Sequence, residues 1–436
     1  MAGVHAVAVR PDIASTVVLP AGHADEDRLF DAYAWLRANN PLGLAQVAGY
    51  DPLWLVSKHA DIMEIERQPD VFTSGGAELR GSHNPILQNR AGDDFIRSVN
   101  GGSLRIGNSI IYMDPPEHSE VKDIAAAWFR LPSVAKLDTS MRELAQTSLD
   151  TRLRRGANDI DFATDFASHY PLRVVMALLG IPEEDEPLMR SLTRDVFGAD
   201  DPEVAGGEAA HSSAGERFVE AVLAFNRYFD AVIDDRRASP REDLSSAISL
   251  ARDPSGEYYN REYAYGWFSA IASGGHDSIS STLATIIERL GLDPALLAET
   301  KSDLDGTVDS LVEEGLRWAS PVKHVVRRAT RDYDLRGRSI RKDDRLMLLY
   351  QSANRDEAVF DCADAFDIRR RPNPHIAFGF GPHMCVGQQL VRRELRIMLE
   401  VLLPRVRSIE LKPGRRAIQT NFVGGLKRLP LRLVID

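Results

Sequence analysis

Phe378-Gly379-Phe380-Gly381-Pro382-His383-Met384-Cys385-Val386-Gly387 is the stretch that decides how this 436-residue chain is read. Glycines at this density let a tight backbone turn approach a bound group closely. Cys385 stands just before a helical run, Gln388 to Leu403. A helix N-terminus and inward-pointing amides stabilise a thiolate. A thiolate held there could ligate iron and push electron density onto it, which favours O–O cleavage. An isolated cysteine is more often a buried structural residue, but here the whole pattern has to be explained. Zinc explains it poorly, because structural zinc wants about four Cys or His ligands and only His383 and Cys385 are close together.

The segment resembles the haem-binding signature of the cytochrome P-450 superfamily, Phe-Gly-x-Gly-x-His-x-Cys-x-Gly, with every fixed position filled. The resemblance implies haem b with Cys385 as axial ligand to its iron. It places Phe378, His383 and Gly387 around the cofactor. It also implies the superfamily's mainly α fold, a large helical body with a small β-rich region.

Two further stretches gain meaning beside that signature. Glu314-Gly315-Leu316-Arg317 puts a carboxylate and a guanidinium on one helix face. Alone it is usually a solvated surface pair. Upstream of Cys385 and ahead of Ser320-Pro321-Val322, it stands where the superfamily has a structural Glu-x-x-Arg. The usual third partner, an Arg before the Phe of the meander, is replaced by Ala365 before Phe366, which leaves Arg369 or Arg370 as substitutes. The other stretch is Gly274-Gly275-His276-Asp277-Ser278. Paired glycines in a helix cost about 1 kcal/mol each against Ala, so something should pack against the backbone there. A haem face is one candidate; a helix kink without chemistry is the other. Asp277 followed by a hydroxyl residue could relay protons. The superfamily pattern has Thr where this chain has Ser278, which keeps the hydroxyl but loses the methyl that restricts the rotamer.

By resemblance, His118, Lys122, Arg327 and His383 are the propionate partners, with Gly274 against the cofactor. Most members have Arg where Lys122 stands. The pocket is expected from 101–111, the helix before Gly274, and 322–326. Trp267, Phe268, Ile271, Val322 and Val325 suit an apolar guest, although core packing explains Trp267, Phe268 and Ile271 equally well. A cluster of Arg369, Arg370, Arg371, Arg392, Arg393 and Arg396 surrounds the cysteine in sequence. Arg392 and Arg396 share one helical face. A basic patch there would steer an acidic electron donor, or it is an ordinary solvated face.

The rest of the chain bounds the answer. Net charge is −11, with 53 basic and 64 acidic side chains, and no basic stripe points to nucleic acid. Cys362 and Cys385 form no Cys-x-x-Cys pair and no disulfide framework, which suits a reducing compartment. No run approaches the roughly 20 apolar residues of a membrane helix, so a cytoplasmic protein is expected. Residues 1–17 read as a loose arm and 18–436 as a single catalytic domain. Helices are expected over 24–39, from about Glu117, over 137–153, 171–179 and 217–237, with a glycine- and acid-rich loop near 200–215. One long helix is expected over 263–290. Strands are expected at 52–57, 322–327, 346–350 and 431–435.

Within the superfamily, Met113-Asp114-Pro115-Pro116, Ala353-Asn354-Arg355-Asp356 and Pro372-Asn373-Pro374-His375 resemble the soluble bacterial class. Gly49-Tyr50-Asp51-Pro52, Tyr170-Pro171-Leu172 and Asn421-Phe422-Val423-Gly424-Gly425 are similar to the bacterial terpineol hydroxylase subgroup. The implied reaction is insertion of one oxygen atom of dioxygen into the C–H bond of a small hydrophobic, terpenoid-like substrate. Electrons would come from NAD(P)H through ferredoxin reductase and ferredoxin. A peroxide-driven haem enzyme and a non-enzymatic haem-thiolate sensor are the alternatives. Asp277-Ser278 argues against the first, and the absence of a recognisable DNA-binding helix pair against the second.

Overall fold

Capping residues and apolar periodicity build a mainly helical body, as expected. Asp25 accepts from the Arg28 amide to open the helix Glu26–Asn39, and Asp303 accepts from the Gly306 amide to open Leu304–Ala319. Such side-chain caps satisfy amides that have no partner inside the helix. The structure, a computed structural model, describes residues 8–76, 79–105, 108–197, 201, 203 and 214–436. Most of the expected loop near 200–215 therefore lies outside the described residues. The helices Glu117–Ala126, Asp138–Arg152, Tyr170–Leu179 and Ala214–Ala238 fall close to their expected places.

The β part is a small appendage with two main sheets. One is five-stranded, in the order Leu42–Ala45, Leu53–Val56, Arg345–Leu349, His324–Ala329, Phe72–Thr73. Only the Leu53–Val56 and Arg345–Leu349 pair is parallel. The other flanks Pro430–Ile435 with Gly156–Asp161 and Val406–Leu411, all antiparallel. The first sheet brings the strand after Pro321 against the N-terminal strands, and so turns Val325 and Arg327 toward the cysteine loop.

Two expectations need correction. Residues 1–17 are not all a loose arm. From residue 8 the chain is placed, and Pro11–Val18 is a helix with Ala14, Val17 and Val18 buried. Its apolar face packs with Leu29, Tyr33 and Leu36 in one hydrophobic cluster. Residues 1–7 lie outside the described set. The helix expected over 263–290 is two helices, Arg261–Gly274 and Asp277–Leu292. Its apolar periodicity runs through the break, so the pattern alone did not show it. The break falls on the glycine pair, and the Ser278 hydroxyl donates to the Gly274 carbonyl across it at 2.7 Å.

Candidate active site

The cysteine loop is held in place from both sides by buried carboxylates. Gly379 and Gly381 have φ of 72° and 66°, the left-handed region that glycine enters without steric cost. A Cβ on Gly381 would come within 2.2 Å of the Glu66 carbonyl oxygen. Glu66 itself accepts from the Tyr350 hydroxyl (2.6 Å), the Phe380 amide (2.9 Å) and Arg327 (3.3 Å). Burial pushes the Glu66 carboxyl up, against the pull of Arg327 and Tyr350.

Glu314 and Arg317 tie down the approach to the loop. Both side chains are fully buried. Glu314 accepts from Arg317 at 2.7 and 2.8 Å, from the Asp367 amide at 2.8 Å and from Asn373 at 3.1 Å. Arg317 donates to the carbonyls of Asn354, Ala363 and Ala365. The third partner is Arg370, 3.3 Å from Glu314, while Arg369 pairs with Glu299 outside. Ala365, which replaces the usual Arg, contributes its carbonyl instead.

Above the loop lies a cavity with ≈1540 Å³ of empty space, its open mouth included. Among its lining are His118, Lys122, Gly274, Arg327, Phe378, His383, Cys385 and Gly387, and also Trp267, Ile271, Val322, Val325 and Ser278. The expected cofactor and pocket residues therefore come together from segments far apart in the chain. Of the 101–111 segment, Ile110 and Ile111 reach the cavity; 106–107 lie outside the described residues.

The lining fits a haem. Cys385 shows its surface to the cavity, and the amides of Gly387 and Gln388 point at its sulfur. Burial pushes the thiol up, so binding a cation at sulfur is what would make the thiolate favourable. A Cβ on Gly274 would meet nothing within 4 Å, which leaves an open face for a flat group. Gly275 is needed for packing, since a Cβ there would lie 2.7 Å from the Val175 side chain. The His118 and His383 rings lie 4.1 Å apart. Burial lowers both of their pKa values, that of His118 to about 4, with Lys122 and Arg327 adding repulsion. Such a cationic neighbourhood favours two carboxylates. Lys122 also donates to the Pro382 and Met384 carbonyls at 2.6 and 3.3 Å.

Other expected residues sit elsewhere. Asp277 does not line the cavity. Its Oδ1 is 3.3 Å from His276 Nδ1, and its Oδ2 is buried with no hydrogen-bond partner among the described residues. Arginines of the expected basic patch are tied into ion pairs. Arg392 pairs with Glu313, Arg393 with Asp138, and Arg396 with Asp309 and Glu400. Those guanidiniums are paired with Glu313, Asp138 and Asp309 on other helices and with Glu400 on their own. Cys362 is an exposed thiol. Sequence reasoning missed Glu66, which belongs to no local motif. It also missed Thr282, which lines the cavity one helical turn after Ser278, a spacing that could have signalled it.

Comparison with known proteins agrees with this geometry. The family model described as cytochrome P450 matches residues 209–422. Cytochrome P450-terp of a Pseudomonas species is 43% identical, covering 96% of this chain and 97% of its own. Linalool 8-monooxygenase of Pseudomonas putida is 29% identical over 93% of this chain and 95% of its own. The crystal structure of CYP108D1 from Novosphingobium aromaticivorans superposes with a TM-score of 0.88 at 32% identity, covering 99% of this chain and all of that one. No described helix is long and apolar enough to cross a membrane. The glycine-rich cysteine loop, the cavity above it and these likenesses lead to one conclusion: the chain belongs to the cytochrome P450 family of haem-thiolate monooxygenases.

Proposed function

We propose that this monooxygenase hydroxylates a small, uncharged, terpenoid-like substrate, with Cys385 as iron ligand and electrons from NAD(P)H through ferredoxin reductase and ferredoxin. The observation that carries the reading is the cavity wall away from the cysteine: Ile110, Ile111, Val175, Trp267, Ala270, Ile271, Val322, Val325 and Val423. These side chains offer a guest dispersion and burial but no salt bridge. The likeness to linalool 8-monooxygenase supports the substrate class. From the helix Pro11–Val18 onward the chain would act as a single catalytic domain.

Each residue then has a task. His118, Lys122, Arg327 and His383 would hold the propionates. Glu314–Arg317 and Glu66 fix the loop that presents Cys385 sulfur. Bound haem supplies the activation of dioxygen. Substrate RH, dioxygen, two electrons and two protons give ROH and water. Ser278 would order water at the cavity, with Asp277 supplying protons from the solvent side. The protein would work in the cytoplasm, where its reduced cysteines and its electron donors coexist.

Cys385→Ala should lose the red-shifted Soret band of the reduced carbon monoxide complex, while Cys362→Ala keeps it. The reverse outcome removes the assignment. Monoterpene alcohols should shift the resting haem from low to high spin, and charged analogues of the same size should not.

A further inference from the structure

Asp277 would supply protons at the cavity, yet it faces away from it, toward His276. That histidine is 3% exposed and sits at the break between the two helices. Its Nε2 lies 2.8 Å from the Ser168 carbonyl oxygen. A carbonyl only accepts, so Nε2 carries a hydrogen. Nδ1 is then either a lone pair or the site of a second, exchangeable proton.

Two oxygens meet that nitrogen, Asp277 Oδ1 at 3.3 Å and the Thr193 hydroxyl at 3.2 Å. The Thr193 hydroxyl also lies 3.1 Å from the Arg190 carbonyl. When its hydrogen goes to Arg190, its lone pair can accept from a protonated Nδ1. When its hydrogen turns to Nδ1, the imidazole is neutral. Both states of His276 are therefore satisfied by the same neighbours. Asp277 complements them: a protonated carboxyl can donate to the lone pair, and a carboxylate pairs with the imidazolium. Among the described side chains, the nearby charged groups on the helices Tyr170–Leu179 and Glu186–Phe197 and on the turn before them are committed elsewhere. Glu186 binds His169, Arg173 and Arg190, with Arg152 at 3.7 Å.

From this arrangement we infer that His276 is the positioning residue that loads Asp277 with its proton, the imidazolium Nδ1 giving its proton to Oδ1 and taking another from water, with the Thr193 hydroxyl holding Nδ1 in place in both states. The inference rests on the proton-supply role of Asp277 proposed above and extends it outward by one residue. A helix-break histidine with a merely structural task would need its Nε2 bond to Ser168 alone. Thr193 and Asp277 converging on the other nitrogen is the feature that such a role leaves unexplained.

The test uses haem-loaded protein. In His276→Gln the side-chain amide can still donate to the Ser168 carbonyl, while the titratable Nδ1 is gone. Infrared difference spectra across pH follow the carboxyl C=O band, assigned to Asp277 by its loss in Asp277→Asn. Removing the imidazolium partner should raise proton affinity at Asp277 by roughly tenfold or more. Product formed per NADH should fall several-fold, with the substrate-induced spin shift unchanged. If the carboxyl midpoint and the coupling of His276→Gln both match the parent while Asp277→Asn uncouples, the inference fails and the role of Asp277 stands. If Asp277→Asn couples like the parent, the role of Asp277 fails and the inference with it.

Discussion

The two sides of the cavity are built on opposite plans. Below, the two carboxylates that hold the Cys385 loop are saturated: Glu314 and Glu66 each accept from at least three donors. Above, at 274–278, the helix is interrupted, a carboxylate oxygen is left without a hydrogen-bond partner among the described residues, and His276 Nδ1 lies between Asp277 Oδ1 and the Thr193 hydroxyl. Saturation over-determines one geometry, which is what a metal-binding loop needs. An unsatisfied group is costly to bury, and it persists where protons must move. The lower side should thus fail by unfolding and the upper side by losing chemistry.

The largest effect should come from breaking the lower network. Removing one partner of a buried pair leaves an uncompensated charge and costs about 3–5 kcal/mol. Arg317→Leu should yield little folded, haem-containing protein. Arg317→Lys should rescue poorly, because one ammonium cannot reach Glu314 and three carbonyls in the same fork. Soluble yield and haem content measure this. A stable Arg317→Leu protein with full haem content would remove the distinction between the two sides.

Next comes the upper side. Ser278→Ala should fold, bind haem and shift spin with substrate like the parent. It should divert reducing equivalents to hydrogen peroxide and slow product formation by about 10²-fold, the low end for a general acid–base group. Ser278→Thr should preserve or improve coupling, since the added methyl restricts the rotamer. NADH, peroxide and product measured together decide it. Coupling retained in Ser278→Ala would mean that another group, such as Thr282, orders the protons.

How much was legible in the sequence follows the same division. The cysteine loop could be read because its residues are contiguous and its glycines are dictated by backbone geometry. The cage around it could not. Glu66 meets Arg327, Tyr350 and Phe380 across separations of 261, 284 and 314 residues, and no local pattern carries that. Choosing Arg370 over Arg369 required the fold, since neighbouring side chains leave the backbone in different directions. The helix break was missed because apolar periodicity continues on either side of Gly275. The ion pairing of the arginine cluster could not be read locally, because Asp138, Asp309 and Glu313 lie on other helices.

A smaller effect should appear in acid. Glu313 bonds His375 at 3.0 Å and Arg392 at 2.6 Å, and its pKa is lowered to about 2. Burial opposes that shift, and the two partners outweigh it. A depressed carboxyl stabilises the fold fully above its unfolded pKa, near 4.5, and loses that contribution as pH falls toward the folded value. The pair is partly exposed, so solvent screening leaves about 1 kcal/mol. Glu313→Gln should lower the melting temperature at pH 7 and flatten the loss of stability between pH 4.5 and about 2. An unchanged acid profile would show that this ion pair contributes nothing measurable.

The smallest effect concerns the outer face of the saturated side, where ferredoxin should dock. Steering depends on uncompensated charge, and Arg392 has none to spare beside Glu313. Arg67 differs. It is exposed, its guanidinium sits 4.9 Å over the Phe380 ring of the cysteine loop, and no described carboxylate pairs with it. Close by, Met384 is 39% exposed, an apolar contact of the kind found at the centre of a transient interface. Arg67→Glu should slow reduction by ferredoxin several-fold at low salt and flatten its ionic-strength dependence, since rim charges act mainly on association. Arg392→Gln should stay within about twofold of the parent, because removing a neutralised charge changes the long-range field little. Stopped-flow reduction across a salt series compares the two. The opposite ranking would mean that Glu313 releases Arg392 when the donor arrives, and that the lower network is less rigid on its outer face than its inner bonds imply.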